Sequence, residues 1–398
     1  MPTNGQGQIG GSSPQPQPQT PPPSGTPSAT PPSPIDETLE AFDRWLLLKN
    51  HTSVLAVLGA ATANMLPGDP IWLGLIGPPS SGKNEILDAL SKLPFVARVS
   101  TLTVPGLLSG TPRQQQSQGA AGGLLRQISN PGVIVCKEFS SILFMRPDTR
   151  TDLLNALREI YDGRWVRHVG SGGGNVLIWS GKVGFLFGCT EAIDGQHDAI
   201  SNLGHRFLYS RVQLVRHGHL KKAIQHRGAM AAQMRKELAD AVSKLFAQPR
   251  QPFQPMNEQE LNRLDDIVSL VVDLRGGSDR DPRTRELETV YSPEGPSRIG
   301  LALEQLFSGL MALGLDRVKA FTTIITVAMD STPPKRRRIY SYLQSLKPNP
   351  GSATTSEIAT HARLPALAVR RTLEELEAHG RIERLVRGRG RTGVWRAV

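Results

Sequence analysis

The residues best placed to do chemistry lie in one short run, Gly77 to Glu85, which reads GPPSSGKNE. Gly77, Gly82 and Lys83 fall at the spacing G-x-x-x-x-G-K, the pattern of a loop that cradles phosphates. Glycines there let the backbone wrap close to a triphosphate. Successive N–H groups and a following helix supply positive potential, and the lysine ammonium reaches the β- and γ-phosphates. The spacing therefore predicts a nucleotide site, with ATP as its ligand, built from Gly77, Pro78, Pro79, Ser80, Ser81, Gly82, Lys83, Asn84 and Glu85. One position departs from the pattern. Where a Ser or Thr hydroxyl usually ligates Mg²⁺, this chain has Asn84, whose amide oxygen is the expected and weaker ligand.

Such a loop works only between a strand and a helix, and both are written around it. Five apolar residues among Ile71–Ile76 predict a short buried strand, and Ile86, Leu87, Ala89 and Leu90 an amphipathic helix. A second strand must carry a carboxylate to the same place, and Gly132 to Phe139, GVIVCKEF, has that form. In P-loop ATPases an Asp for the magnesium shell stands here, followed by a Glu that polarises the attacking water. Glu138 is in place for the base, and Lys137 stands where Asp is expected. Three readings stay open: Glu138 serves the metal; the metal shell is thinned and a second lysine faces the phosphates; or the strand ends in an ordinary surface salt bridge.

At 398 residues the chain has room for two or three domains. Its net charge of +11 suggests an acidic partner, and the excess is concentrated: residues 335–398 hold 14 Lys and Arg against 5 Glu. Cys136 and Cys189 both end apolar runs and read as core residues in a reducing compartment. No apolar run reaches transmembrane length and no signal core precedes the chain, so a soluble, cytoplasmic protein is expected, with no membrane partner.

Residues 1–34 carry no charged side chain and 11 prolines, which predicts a disordered tail. Two helices follow, the second capped by Thr52 or Ser53 and stopped by Pro67. Beyond the loop helix come a strand over Phe95–Thr101, a polar passage from Thr103 to Asn130, and a helix over Pro147–Asp162 capped by Asp148 or Thr149. Arg164–Val169 and Val176–Trp179 form a hairpin with Arg164, Arg167 and His168 on or beside its first strand. Lys182–Cys189 is another buried strand with Thr190 at its end, and Leu208–Val215 a further one. Leu220–Ala247 reads as one long basic amphipathic helix, Asn257–Leu274 as another, and Arg298–Met329 as the remainder of a helical lid.

This order resembles that of the AAA+ ATPases. More narrowly it is similar to the branch with a hairpin ahead of sensor 1, which holds the minichromosome maintenance helicases and, more distantly, the superfamily III helicases. The phrases GPPSSGKNEIL, CKEFSSI, DTRTDLLNALREIYDG, FGCTEAIDG and HRFLY carry the likeness, which covers about Ile71 to Leu313. The resemblance implies an α/β fold, a three-layer P-loop parallel sheet with a helical lid, and a homo-oligomeric ring. It gives Thr190 the sensor 1 place and Arg206 that of an arginine finger reaching a neighbouring subunit. Arg298 takes the place of the sensor 2 arginine, and the hairpin points into a central pore. Departures are Asn84, Lys137, Thr190 for the usual Asn, and the lack of an amino-terminal zinc or OB-like domain. Read from the residues alone, Arg206 is equally a partner for Asp194 or Asp198, and His197, His205, His217 and His219 have no spacing that supports a metal site.

After Pro333-Pro334 the pattern changes to three short helices, a strand RIERLV, a turn RGRGRTG and a strand VWRAV, resembling a winged helix. Arg370 and Arg371 lie at the start of its would-be recognition helix, and Arg387, Arg389 and Arg391 alternate with small residues in the wing. Those positions suit phosphate or minor-groove contact with DNA; a protein-docking block is the other reading. The expected divisions are 35–216 for the ATPase core, 217–332 for the lid and 333–398 for the nucleic-acid-binding module. Together these features predict an ATP- and Mg²⁺-dependent DNA helicase, translocase or helicase loader. The alternatives are a DNA-binding switch that holds ATP without hydrolysing it and a motor that remodels protein.

Overall fold

The computed structural model describes residues 1–5, 7, 33–109, 122–169, 175–196, 206–348, 351–386 and 393–398. In chain order the first elements are α1 (Pro34–Trp45), α2 (Thr52–Ala63), β1 (Trp72–Ile76), α3 (Lys83–Asp88), β2 (Val96–Val99), α4 (Val104–Leu107), β3 (Gly132–Cys136), α5 (Ser140–Leu143), α6 (Pro147–Tyr161), β4 (Arg164–Val169), β5 (Asn175–Ser180), β6 (Val183–Cys189) and β7 (Phe207–Arg211). Five strands form a parallel sheet in the order β2-β3-β6-β1-β7, an α/β core of P-loop type. Register brings β1 and β6 level at their ends, Ile76 opposite Cys189, and β3 stops two residues earlier, Cys136 opposite Phe187. The segments leaving β1, β3 and β6 therefore emerge side by side along one edge.

Period-two alternation divides the strand residues between two cores. Leu73, Leu75, Val133, Val135, Leu186 and Leu208 face α1, α2 and α3. Trp72, Ile76, Ile134, Phe185, Phe187 and Phe207 face α6 and the β4–β5 hairpin, which contributes Trp165, Leu177 and Trp179. Gly74 sits under this aromatic layer, where a Cβ would lie 2.6 Å from the Phe187 ring.

The chain continues as α7 (His219–Gln225), α8 (Ala229–Phe246), α9 (Glu258–Arg275), the hairpin β8 (Ser278–Arg280) and β9 (Leu287–Val290), α10 (Ser297–Ala312) and α11 (Arg317–Asp330). The single long helix expected over 220–247 is two, because Gly228 adopts φ +65° between them. Its proposed stripe divides accordingly: Met234, Leu238, Val242 and Leu245 are buried, whereas Leu220 and Ile224 are 71% and 51% exposed. Cap residues also differ. Asn50, not Thr52 or Ser53, accepts from the first turn of α2, and Pro147 opens α6 without a side-chain cap from Asp148 or Thr149. Residues 276–296 contain the β8–β9 hairpin.

Last come α12 (Pro334–Ser345), β10 (Ser352–Thr354), α13 (Thr355–Ala362), α14 (Ala366–Ala378), β11 (Ile382–Arg384) and β12 (Val394–Ala397). The three helices enclose their own core around Ile339, Leu343, Leu373 and Trp395, which also takes in Leu274 of α9. The antiparallel sheet here has three strands, β10-β12-β11, instead of the expected two. The three residues of β10 carry too little alternation to be read as a strand.

Helix α2 is apolar all round because it is enclosed all round: eleven of its twelve residues are buried between the sheet and α10. Close approach depends on two glycines. A Cβ on Gly309 would lie 2.3 Å from the Gly59 carbonyl oxygen, and one on Gly59 would lie 2.7 Å from the Leu310 side chain. Gly309→Ala should lower stability by about 1–3 kcal/mol in urea unfolding, whereas Gly295→Ala, with nothing within 4 Å of the new methyl, should leave the midpoint unchanged.

Candidate nucleotide-binding site

The loop between β1 and α3 is shaped by its backbone. Gly82 takes φ +86° and Ser80 φ +60°, the left-handed region in which glycine is at ease and serine is not. A Cβ on Gly77 would press on the Ser81 hydroxyl and the Val212 carbonyl, both 3.1 Å away. The folded loop turns Lys83 inward at the start of α3, leaving it 8% exposed. Its Nζ donates to the carbonyls of Gly77 at 2.8 Å and Pro78 at 2.7 Å, and to Ser81 Oγ at 3.3 Å. Burial holds the Lys83 ammonium below its ordinary value, opposed by the charge of Glu138.

A cleft of about 610 Å³ opens over the loop. Pro79, Ser80, Ser81, Gly82, Lys83, Asn84 and Glu85 line it, with Glu138 and Thr190 from the ends of β3 and β6. The sheet register thus brings together the expected phosphate loop, base and sensor. Glu138 is exposed in the cleft and accepts from the Ser140 amide at 3.2 Å. Thr190 is tied to the same turn: its Oγ1 is 3.4 Å from Ser140 Oγ, which also approaches Cys189 Sγ at 3.3 Å. Ser140, which joins the ends of β3 and β6, carried no motif in the sequence.

Lys137 does not face the phosphates. Its Nζ lies 2.6 Å from Asp88 at the end of α3, with Arg98 on the same carboxylate at 3.5 Å. Both residues lie just beyond the end of β3, where the chain turns: Glu138 lines the cleft and Lys137 is directed to Asp88. Among the described residues no group of three His, Cys, Asp or Glu side chains converges as a metal site. Asn84 and Glu138 are instead an amide and a carboxylate oxygen at the loop mouth, a donor set that suits a hard cation shared with phosphates and water. Both cysteines are buried free thiols, pushed up by burial to about 11.

The arginines expected in catalysis lie elsewhere. Arg206 immediately precedes β7, at the edge of the sheet opposite the loop. Its Nη2 donates to both Asp162 oxygens, at 2.9 and 2.8 Å, and its guanidinium lies over the Tyr161 ring. The side chain is 5% exposed and Asp162 is a carboxylate that it bonds, whereas Asp198 lies outside the described residues. Asp194 belongs to Arg211, which it holds at 2.9 and 2.7 Å. Arg298 lines a separate cavity with Tyr161, Asp162 and Lys182, so it does not reach the cleft of its own chain.

On the hairpin, Arg164 and His168 are exposed alongside Val166, Val176 and Ile178, whereas Arg167 turns back to donate to the Leu108 carbonyl. In the carboxy-terminal unit Arg370 is exposed and pairs with Glu374 at 3.0 Å, and Arg371 is half-buried. Arg387, Arg389 and Arg391 lie outside the described residues. Several other basic residues hold the unit to the segments before it: Arg336 donates to the Leu274 and Gly276 carbonyls and Arg381 bonds Asp273, while Arg280 of β8 donates to Glu374, Glu375 and the Arg371 carbonyl.

Residues 335–398 match a family model described as FaeA-like protein. No curated protein sequence matches the chain. Among solved structures it is similar to NtrX from Brucella abortus in complex with ADP, at 14% identity over 86% of this chain and 72% of that one, with a TM-score of 0.30. It is also similar to the apo C-terminal region of NrS-1, at 12% identity over 92% of this chain and 74% of that one, with a TM-score of 0.26. Overlaps this loose carry no argument, and the α/β assignment stands on the sheet order and the loop. No helix among the described residues is long and apolar enough to cross a membrane.

Lys83 is the one cation that the loop encloses, so Lys83→Ala should weaken binding of an adenosine triphosphate analogue by roughly 10- to 100-fold, read by equilibrium titration. Lys137→Ala, which removes a side chain bound to Asp88 outside the cleft, should leave that affinity within a factor of about two.

Proposed function

We propose that the chain is an ATPase that binds ATP and Mg²⁺ at the 77–85 loop and couples hydrolysis to work on DNA, as a helicase, translocase or helicase loader acting as a homo-oligomeric ring. The observation that carries the reading is the buried Lys83 ammonium, held at the mouth of the phosphate loop with Glu138 and Thr190 beside it in one cleft. In use, phosphate oxygens replace the Gly77 and Pro78 carbonyls on Lys83. Asn84 and Glu138 would hold Mg²⁺, which would supply charge neutralisation for the phosphates. Glu138 also receives the proton of the attacking water, and Thr190, steadied by Ser140, orients that water.

The positions of Arg206 and Arg298 support the ring. Both lie around Tyr161 and Asp162, beyond reach of the cleft in their own chain, so any catalytic role for them is toward a neighbour's nucleotide. Arg206 must then leave Asp162. The unit from 333 to 398 is assigned as a winged helix that contacts DNA backbone. Three helices and an antiparallel sheet support that reading, as does Arg370, exposed near the start of α14. Arg164 and His168 on the β4–β5 hairpin are the second contact.

Glu138→Gln should bind ATP normally and lower kcat by about 100-fold or more, measured as phosphate release. A wild-type protein that binds ATP and releases no phosphate, with or without DNA, would be a switch and not a motor. Arg370→Ala should weaken DNA binding evenly across sequences and reduce the slope of log affinity against log salt by about one; an unchanged slope would remove α14 from the interface.

A further inference from the structure

The phosphate end of the cleft is fixed by the loop, and its far side is built from Leu46, Leu47 and the inner face of α7. Along that face His219, Lys222, Ala223 and His226 recur at helical spacing toward the cleft. Lys222 anchors the helix: its Nζ donates to the carbonyls of Asp43 at 2.6 Å and Leu46 at 2.8 Å, closing the end of α1. Trp45 is held from two sides, its indole N–H on Glu237 at 2.8 Å and its carbonyl oxygen 3.1 Å from His226 Nδ1. The His226 ring also meets the Trp45 indole edge-on at 4.8 Å. These contacts fix the ring in place.

They also fix its tautomer. A carbonyl oxygen only accepts, so His226 Nδ1 carries the proton, and in the neutral ring Nε2 is left as an acceptor. The histidine is half-buried, and Nε2 has no protein partner among the described residues. An acceptor on a residue that lines the cleft with Leu46, Leu47 and Ala223 can distinguish purines by what they present at position 6. Adenine offers an amino group that donates, and guanine offers an oxygen that only accepts and would face Nε2 lone pair to lone pair. We infer that His226 selects adenine over guanine in this cleft, its Nε2 accepting from the 6-amino group, with Lys222 as the positioning residue. The inference rests on the nucleotide-binding reading above. His219, whose Nδ1 is buried without a hydrogen-bond partner, lies two turns earlier on the same face.

The test compares full-length wild type with His226→Ala for binding of ATP, GTP, purine riboside triphosphate (an ATP analogue lacking the 6-amino group) and inorganic tripolyphosphate. Wild type should prefer ATP to GTP and to the purine analogue by about tenfold or more. In His226→Ala the three nucleotides should bind within about twofold of one another, with tripolyphosphate affinity unchanged, which also shows that the variant is folded. The purine analogue asks the same question of wild type without any substitution. Equal affinity of wild type for ATP and the purine analogue, or a preference that survives in His226→Ala, would overturn the assignment. Nucleotide binding has its own control: if neither ATP nor tripolyphosphate binds wild type, the loop reading fails first and takes this inference with it.

Discussion

A lysine ammonium buried with no carboxylate bonded to it is the constraint on which the rest of the site depends. Carbonyl dipoles from Gly77 and Pro78 stand in for a counter-charge at Lys83, and burial disfavours the charged form. Such an arrangement is stable only if the loop backbone cannot relax away from it, and several features prevent that. Ser80 is held at a positive φ that its side chain disfavours, Gly77 is packed against Val212, and β1 lies between β6 and β7 with both neighbours in parallel register. The sheet is in this sense a device for holding a cation where an anion is wanted.

Register then decides which other groups arrive. Since β6 ends level with β1 and β3 only two residues earlier, Glu138 and Thr190 both come to the cleft over the loop, and Ser140 contacts Cys189 and Thr190. Gly188 matters for the same reason. A Cβ there would lie 2.6 Å from the Lys137 carbonyl, forcing β3 and β6 apart at the point where their ends must meet.

The parts legible in the sequence were those governed by local rules. The apolar strand before Gly77, the G-x-x-x-x-G-K spacing, the apolar run of β6 and the helix at α6 each follow from one short window. What was not legible depended on contacts between distant segments. Lys137 and Glu138 are neighbours in sequence, and only the position of Asp88 on α3 reveals which of them turns away. The break at Gly228 was hidden because helical periodicity runs across it, although Leu220 and Ile224 have no core to enter. The cleft's far wall carried no motif: Leu46 and His226 are 180 residues apart, and a His on a basic amphipathic segment looks like a solvated residue until Trp45 is placed beside it.

Charge counting was the least informative of the sequence arguments. The basic excess of residues 335–398 suggested an open cationic surface, but Arg336, Arg337 and Arg381 bond carboxylates or carbonyls of the helical region before it. Their role is mechanical. Asp330, at the end of α11 and 7% exposed, accepts from the Arg211 amide and from Arg337, so one buried carboxylate joins the last strand of the sheet to the first helix of the carboxy-terminal unit. Arg211 is in turn fixed by Asp194, a few residues beyond Thr190. The carboxy-terminal unit is therefore not tethered by a loose linker at Pro333. Asp330 ties it to the sheet strand that pairs with β1. Breaking a buried carboxylate's pairing costs more than breaking an exposed one, so Asp330 is a firm tie between β7 and α12, beside those that Arg280 and Arg381 make.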